Sequence, residues 1–139
     1  MSRKRLIAKR IALVALAIVL IGMLIPERMV MPVEGATPAD WNAETFWYEP
    51  WGASGVHTGI DIFAGRGTKA VSATGGVVLY AGTLARGGNV VLVLGPKWRV
   101  HYYAHLASID SDIGWLVRAG DVLGAVGDTG NAVGKQPHL

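Results

Sequence analysis

From Ile60 onward the chain is written in short apolar runs cut by glycine. "IDIF", "KAVSA", "GVVLYAG", "NVVLVLG", "WRVHYYAHL" and "VLGAVG" are mostly β-branched or aromatic and too short for ordinary helices. Gly65-Arg66-Gly67, Gly75-Gly76, Gly87-Gly88 and Gly95-Pro96 mark the turns between them. A spacing of roughly ten residues per strand predicts an all-β domain, a small antiparallel sheet, sandwich or barrel-like fold. "ARGGN", residues 85–89, predicts a hairpin between two of the runs. The chain has no cysteine, so neither disulfides nor thiolate metal sites are available, and a domain of this size depends on its core.

The first 35 residues are of another kind. Arg3, Lys4, Arg5, Lys9 and Arg10 precede "IALVALAIVLIGMLI", residues 11–25, which carries no charge. Fifteen helical residues reach about 22 Å, short of a bilayer core of about 30 Å. Leu6 to Ala8 extend the span if Lys9 and Arg10 snorkel. The run suits either an uncleaved membrane anchor or the core of a cleaved signal, with "VEGA", residues 33–36, as a cleavage site far from it. Both place residues 1–10 in the cytoplasm and send the rest across the membrane.

Charge follows this division. The chain holds 13 Lys and Arg against 10 Asp and Glu, yet from residue 36 onward seven basic residues face eight acidic ones. A nucleic-acid partner requires a basic face on the folded part. The composition excludes one. Residues 26–51 hold four of the six prolines and end in aromatics, which predicts a linker and a lead-in segment. Phe46, Trp47, Tyr48 and Trp51 are expected to cover one end of the core.

All four histidines, His57, His101, His105 and His138, lie in the β-rich part. "HTGID" sets His57 and Asp61 four apart among β-forming residues, where a straight strand would separate them by roughly 13 Å. The pair is unrelated unless the chain bends at Gly59, where glycine tolerates conformations other residues avoid. With Asp61, the histidines are a plausible ligand set for zinc, which lowers the pKa of a water towards about 7. His101 and His105 share a strand face at a similar separation and need not share a task.

The order of these pieces resembles a known family. "HTGID", then "YAHL", then "VRAGDVLGAVGDTGNAVGKQPHL", with its spaced glycines, is similar to the lysostaphin-type (LytM-like) zinc metallopeptidases, from about Trp51 to Leu139. The resemblance implies a lysostaphin-type fold (a duplicated hybrid motif) over residues 52–139 and a zinc endopeptidase acting on bacterial peptidoglycan peptides. It implies His57 and Asp61 as zinc ligands, with His105 and His138 polarising the attacking water and stabilising charge. His101 matches no functional position and is expected to pack or to support another group. The family motif ends H-x-H, whereas this chain stops at Leu139. A third zinc ligand is therefore expected just after Leu139, and the last strand is expected to be cut short.

The localisation expected is the bacterial cytoplasmic membrane with the catalytic domain on its outer side, or secretion. Two other readings stand beside the enzyme. One is an inactive relative of the same fold that binds peptidoglycan or activates an amidase. The other is a biotinyl- or lipoyl-type carrier, suggested by "AVSATGGVVL" and "VRAGDVLGAVG", for which Lys69 is the only candidate in an unconvincing setting.

Overall fold

The computed structural model describes residues 3–51 and 55–139. The start of the domain as read from sequence, at Gly52, lies outside the described residues. Helix α1, Arg3–Leu24, is followed by β1 (Lys69–Val71), β2 (Gly76–Leu84), β3 (Gly88–Leu94), β4 (Val100–Leu106), β5 (Ser108–Ile109), β6 (Leu116–Val117) and β7 (Val122–Ala125). One sheet has the order β4-β3-β2-β6 and the other β1-β7-β5, with every pairing antiparallel. Val78, Val91, Val93, Tyr103 and Leu106 from the first sheet meet Ala70 and Leu123 from the second in one core.

The predicted all-β fold is the observed one. The "ARGGN" hairpin joins β2 to β3, with Leu84 opposite Gly88. "IDIF" is the exception, since Ile62 and Phe63 form isolated bridges, to Trp41 and His138 respectively, in place of a ladder. Two-residue strands β5 and β6 carry too little pattern to be seen in sequence.

The segment read as a linker is packed on the smaller sheet. Val30 N–H donates to the Ala73 carbonyl (2.9 Å), Val71 N–H to Pro32 (2.8 Å) and Glu34 N–H to Lys69 (3.0 Å). Val33 lies in the core, bridged to Ala70. Proline-rich composition concealed this, because the segment makes backbone bonds along β1 without being a long strand.

Helix α1 spans 22 residues, or about 33 Å at 1.5 Å per residue. It runs through the basic residues and so exceeds the uncharged run alone. Its side chains are apolar on every face from Ile11 to Leu24 and exposed throughout, and only Gly22 is buried. A helix apolar all round has no stable place in water. By length and composition it can cross a membrane.

Candidate active site

His57 is set in place by the segment before it. Asn42 Oδ1 accepts from Glu44 N–H (2.9 Å) and starts a 3-10 turn, Ala43–Thr45. Beyond it Trp47 N–H donates to the His57 carbonyl (2.7 Å), and His57 N–H to the Tyr48 carbonyl (3.1 Å). The His57 Nδ1–H reaches the Thr45 carbonyl at 3.1 Å, and Trp51 stacks on the ring at 4.3 Å. The Thr45 bond fixes the tautomer, leaving Nε2 as the lone-pair nitrogen.

Asp61 comes from the other side of a bend at Gly59. Gly59 adopts no left-handed φ, and a Cβ there would meet nothing within 4 Å. The bend is real, but it does not draw on the freedom that only glycine has. Its neighbour Ile62 is buried and bonded in both directions to Leu139 (3.0 Å each), which turns Asp61 outward to the groove. His57 Nε2 and Asp61 Oδ1 lie 3.1 Å apart. Two acceptors at this distance call for a positive charge between them, either a proton or a cation. Around a tetrahedral zinc with bonds near 2.1 Å, two ligand atoms stand about 3.4 Å apart, so the pair fits the ion.

His105 and His138 face each other with ring centroids 4.9 Å apart. The Nδ1–H of His105 donates to the Thr129 carbonyl (2.8 Å) and that of His138 to the Gln136 carbonyl (2.7 Å). His105 occupies an irregular place at the end of β4, with φ +59°, a region side chains seldom adopt. Its N–H leaves the ladder to bond the Gly87 carbonyl (2.7 Å). Burial holds its pKa below the ordinary imidazole range, a shift that the Thr129 carbonyl opposes, His138 reinforces and Asp61 opposes; Lys135 lowers it further. The ring is therefore neutral at pH 7. His138 is bridged to both Phe63 and Gly127, and so spans the gap between the segment carrying Asp61 and the loop after β7.

Thr129 is the residue that sequence reasoning missed. Its hydroxyl donates to the Leu106 carbonyl (2.9 Å) and accepts from Asn89 N–H (3.0 Å), while its carbonyl holds His105. Only the neighbouring "DTGN" hinted at it, as a generic turn.

One groove of about 800 Å³ is lined by Trp51, His57, Asp61, His105, Lys135 and His138. His101 also borders it, but its Nε2 lies 3.3 Å from Glu27 Oε1, apart from the other three imidazoles. Among the described residues no group of three or more His, Asp or Glu side chains converges on one metal position. Of the four expected site residues, the fold brings His57 to Asp61 and His105 to His138, and opens both pairs to the same groove.

The expectation for the aromatics is corrected. Phe46, Trp47 and Tyr48 are exposed, Trp47 by 65%, and do not cover the core. The two-residue pairing with His57 keeps this segment over the groove side, where Trp51 serves as a wall for the imidazole.

Fold and groove define the class: a small two-sheet β domain with His57, Asp61, His105 and His138 opening onto a single groove that His101 also borders. Residues 55–139 match the profile of peptidase family M23, and the chain belongs to that family. It is 38% identical over 84 residues to the DD-carboxypeptidase/endopeptidase Mpg of Neisseria meningitidis, across 60% of this chain and 19% of that protein. The chain thus spans about a fifth of that curated relative's length. Among solved structures, the catalytic domain of lysostaphin from Staphylococcus simulans superposes with a TM-score of 0.60 at 31% identity, covering 65% of this chain and 68% of that one. A zinc-containing peptidase from Vibrio cholerae gives 0.65 at 25% identity, covering 81% and 36% respectively.

Proposed function

We propose that the domain is a zinc-dependent endopeptidase that hydrolyses peptide bonds in bacterial peptidoglycan, held at the outer face of the cytoplasmic membrane by α1. The observation that carries this reading is the 3.1 Å approach of His57 Nε2 to Asp61 Oδ1, with the other nitrogen of His57 already given to Thr45. Membership of a peptidase family and likeness to a zinc-containing peptidase support it.

His57 and Asp61 would hold the zinc, which when bound would supply Lewis acidity at neutral pH. The neutral His105 accepts a proton from the attacking water at Nε2, since its Nδ1–H is bound to Thr129. His138, beside it, stabilises the charge that develops on the carbonyl oxygen. Trp51 keeps His57 from rotating.

The backbone register supports a third ligand at the position after Leu139. Ile62 pairs with Leu139 and Phe63 with His138, so a residue added after Leu139 would stand directly opposite Asp61. Opposed residues of antiparallel strands have Cβ atoms about 5 Å apart, within reach of one ion.

The test is release of soluble peptides from purified cell walls, analysed by mass spectrometry, with zinc titrated by calorimetry. The protein assayed is the chain with one histidine added after Leu139. Zinc-dependent cleavage of a wall peptide, absent in the His57→Ala variant, is expected. Stoichiometric zinc with intact walls would instead select a binding or activating role.

A further inference from the structure

We propose that the turn preceding β4 and the β6 loop form a membrane-resting surface that sinks Trp98 and Leu116 into the outer leaflet beside α1. The proposal rests on the anchor reading of α1, and its occupant is the lipid bilayer that α1 would span.

The helix meets the domain at the turn before β4. The Trp98 indole Nε1–H donates to the Val19 carbonyl at 3.1 Å, and the ring packs so closely on Gly22 that a Cβ there would collide with it. The turn that delivers Trp98, Pro96–Trp98, holds both Lys97 and Trp98 at φ +59°, a conformation non-glycine residues avoid. Strain of this kind persists where surrounding contacts over-determine it, and here the contact is with the helix.

Beside that contact lies an open groove of about 520 Å³, almost wholly apolar, lined by Gly22, Ile25, Val77, Leu94, Trp98 and Leu116. Leu116 is 86% exposed, and Ile113 and Trp115 in the same loop are exposed as well. Trp98 and Leu116 border the same groove, and large apolar side chains left exposed together are costly in water. They suit the bilayer interface, where tryptophan is enriched.

The helix sets the depth. Val19 lies six residues before Ile25, or about 9 Å along the axis. If the apolar span ends at Ile25, Trp98 sits within the 5–10 Å (roughly) to which interfacial apolar groups are buried. Lys97, Arg99 and Arg118 flank the surface together with Asp110 and Asp112 in the loop before β6; Arg99 pairs with Glu27, and Asp121 accepts from the Arg118 N–H.

Because the chain has no cysteine, Leu116→Cys carries an environment-sensitive fluorophore at one position. Ile113→Cys repeats the measurement should that variant fail to fold, and Val133→Cys, exposed and remote from α1, is the control. The labelled full-length chain is reconstituted into phosphatidylethanolamine–phosphatidylglycerol vesicles with brominated acyl chains and first floated on a density gradient. Co-flotation with loss of most of the emission at position 116 or 113, and none at 133, is the expected result. Co-flotation with emission retained overturns the docking while leaving the anchor intact. Emission retained but shielded from aqueous iodide overturns it in favour of a protein partner or second copy. A chain that does not float overturns the anchor and the docking together.

Discussion

Thr129 holds His105 by its backbone carbonyl, accepting the Nδ1–H at 2.8 Å, while its side chain ties β3 to β4. One residue thus fixes both the tautomer of the proposed base and the strand that carries it. Since His105 makes no bond to His57 or Asp61, His105→Ala should leave zinc binding intact. It should slow peptide hydrolysis by a factor on the order of 100 to 10,000, as expected for an acid–base group. Calorimetry and a cell-wall turbidity assay on the same sample check both; equal loss of zinc from His105→Ala and His57→Ala would reverse the assigned roles.

The opposite pattern is expected of His57→Ala and Asp61→Ala. Each removes a proposed ligand and should abolish zinc binding and hydrolysis together. Among the described residues only His57 and Asp61 meet as a ligand pair, so the chain of residues 1–139 should bind zinc weakly. Adding a histidine after Leu139 should tighten binding by orders of magnitude, because catalytic zinc usually has three protein ligands.

Gly130→Ala tests the support of His105 from further away. Gly130 has φ +68°, and a Cβ there would strike the Arg86 carbonyl and the Gly88 amide. Backbone cannot step aside as a side chain can, so a loss of about 1–3 kcal/mol is expected in thermal or urea unfolding. Hydrolysis per folded molecule should fall too, since Thr129 moves with its neighbour.

Tyr103 sets an alkaline limit on stability. Burial raises its pKa, and its hydroxyl accepts the buried Ala73 N–H at 2.8 Å. The unfolded chain ionises this phenol near pH 10 while the folded one keeps it neutral, so the contribution is complete below about pH 10 and lost as pH rises through the folded value. Melting temperatures should drop above that pH. Tyr103→Phe should blunt the drop and cost about 1–3 kcal/mol at pH 7, from the orphaned amide.

The strand runs and the "ARGGN" hairpin were legible because each is local: alternating apolar residues and a glycine turn need no distant partner. The pairing of His57 with Asp61 was legible only as a choice between a bend and coincidence. Thr129 was not legible, because its role exists only where the loop after β7 meets the β2–β3 turn, some 40 residues away. The aromatics misled for a related reason. Large rings usually pack inward, but here the 3-10 turn and two backbone bonds to His57 leave Phe46, Trp47 and Tyr48 exposed, with Trp51 on the groove. His101 likewise gave no sign of Glu27, a carboxylate only 5% exposed and 74 residues distant.

That carboxylate offers a separate test. Glu27 bonds Arg99 at 2.6 Å and His101 at 3.3 Å, joining the chain just beyond α1 to β4 and the turn before it. Glu27→Ala should strip both partners, lower stability by about 1–3 kcal/mol, and speed proteolysis between Pro26 and Val30. Zinc affinity should be unchanged. Unaltered proteolysis would show that the backbone bonds of residues 30–34 suffice.

Those backbone bonds govern how far the protein can act. Between Leu24, the last helical residue, and Val30, the first one bonded to the sheet, six residue steps span at most about 22 Å. If α1 is kept as the proposed anchor, the groove is on a short leash and cannot patrol the depth of a cell wall. On the proposed reading, its substrates would be wall strands lying within about one domain's breadth of the bilayer, and strands further out would be spared by geometry alone.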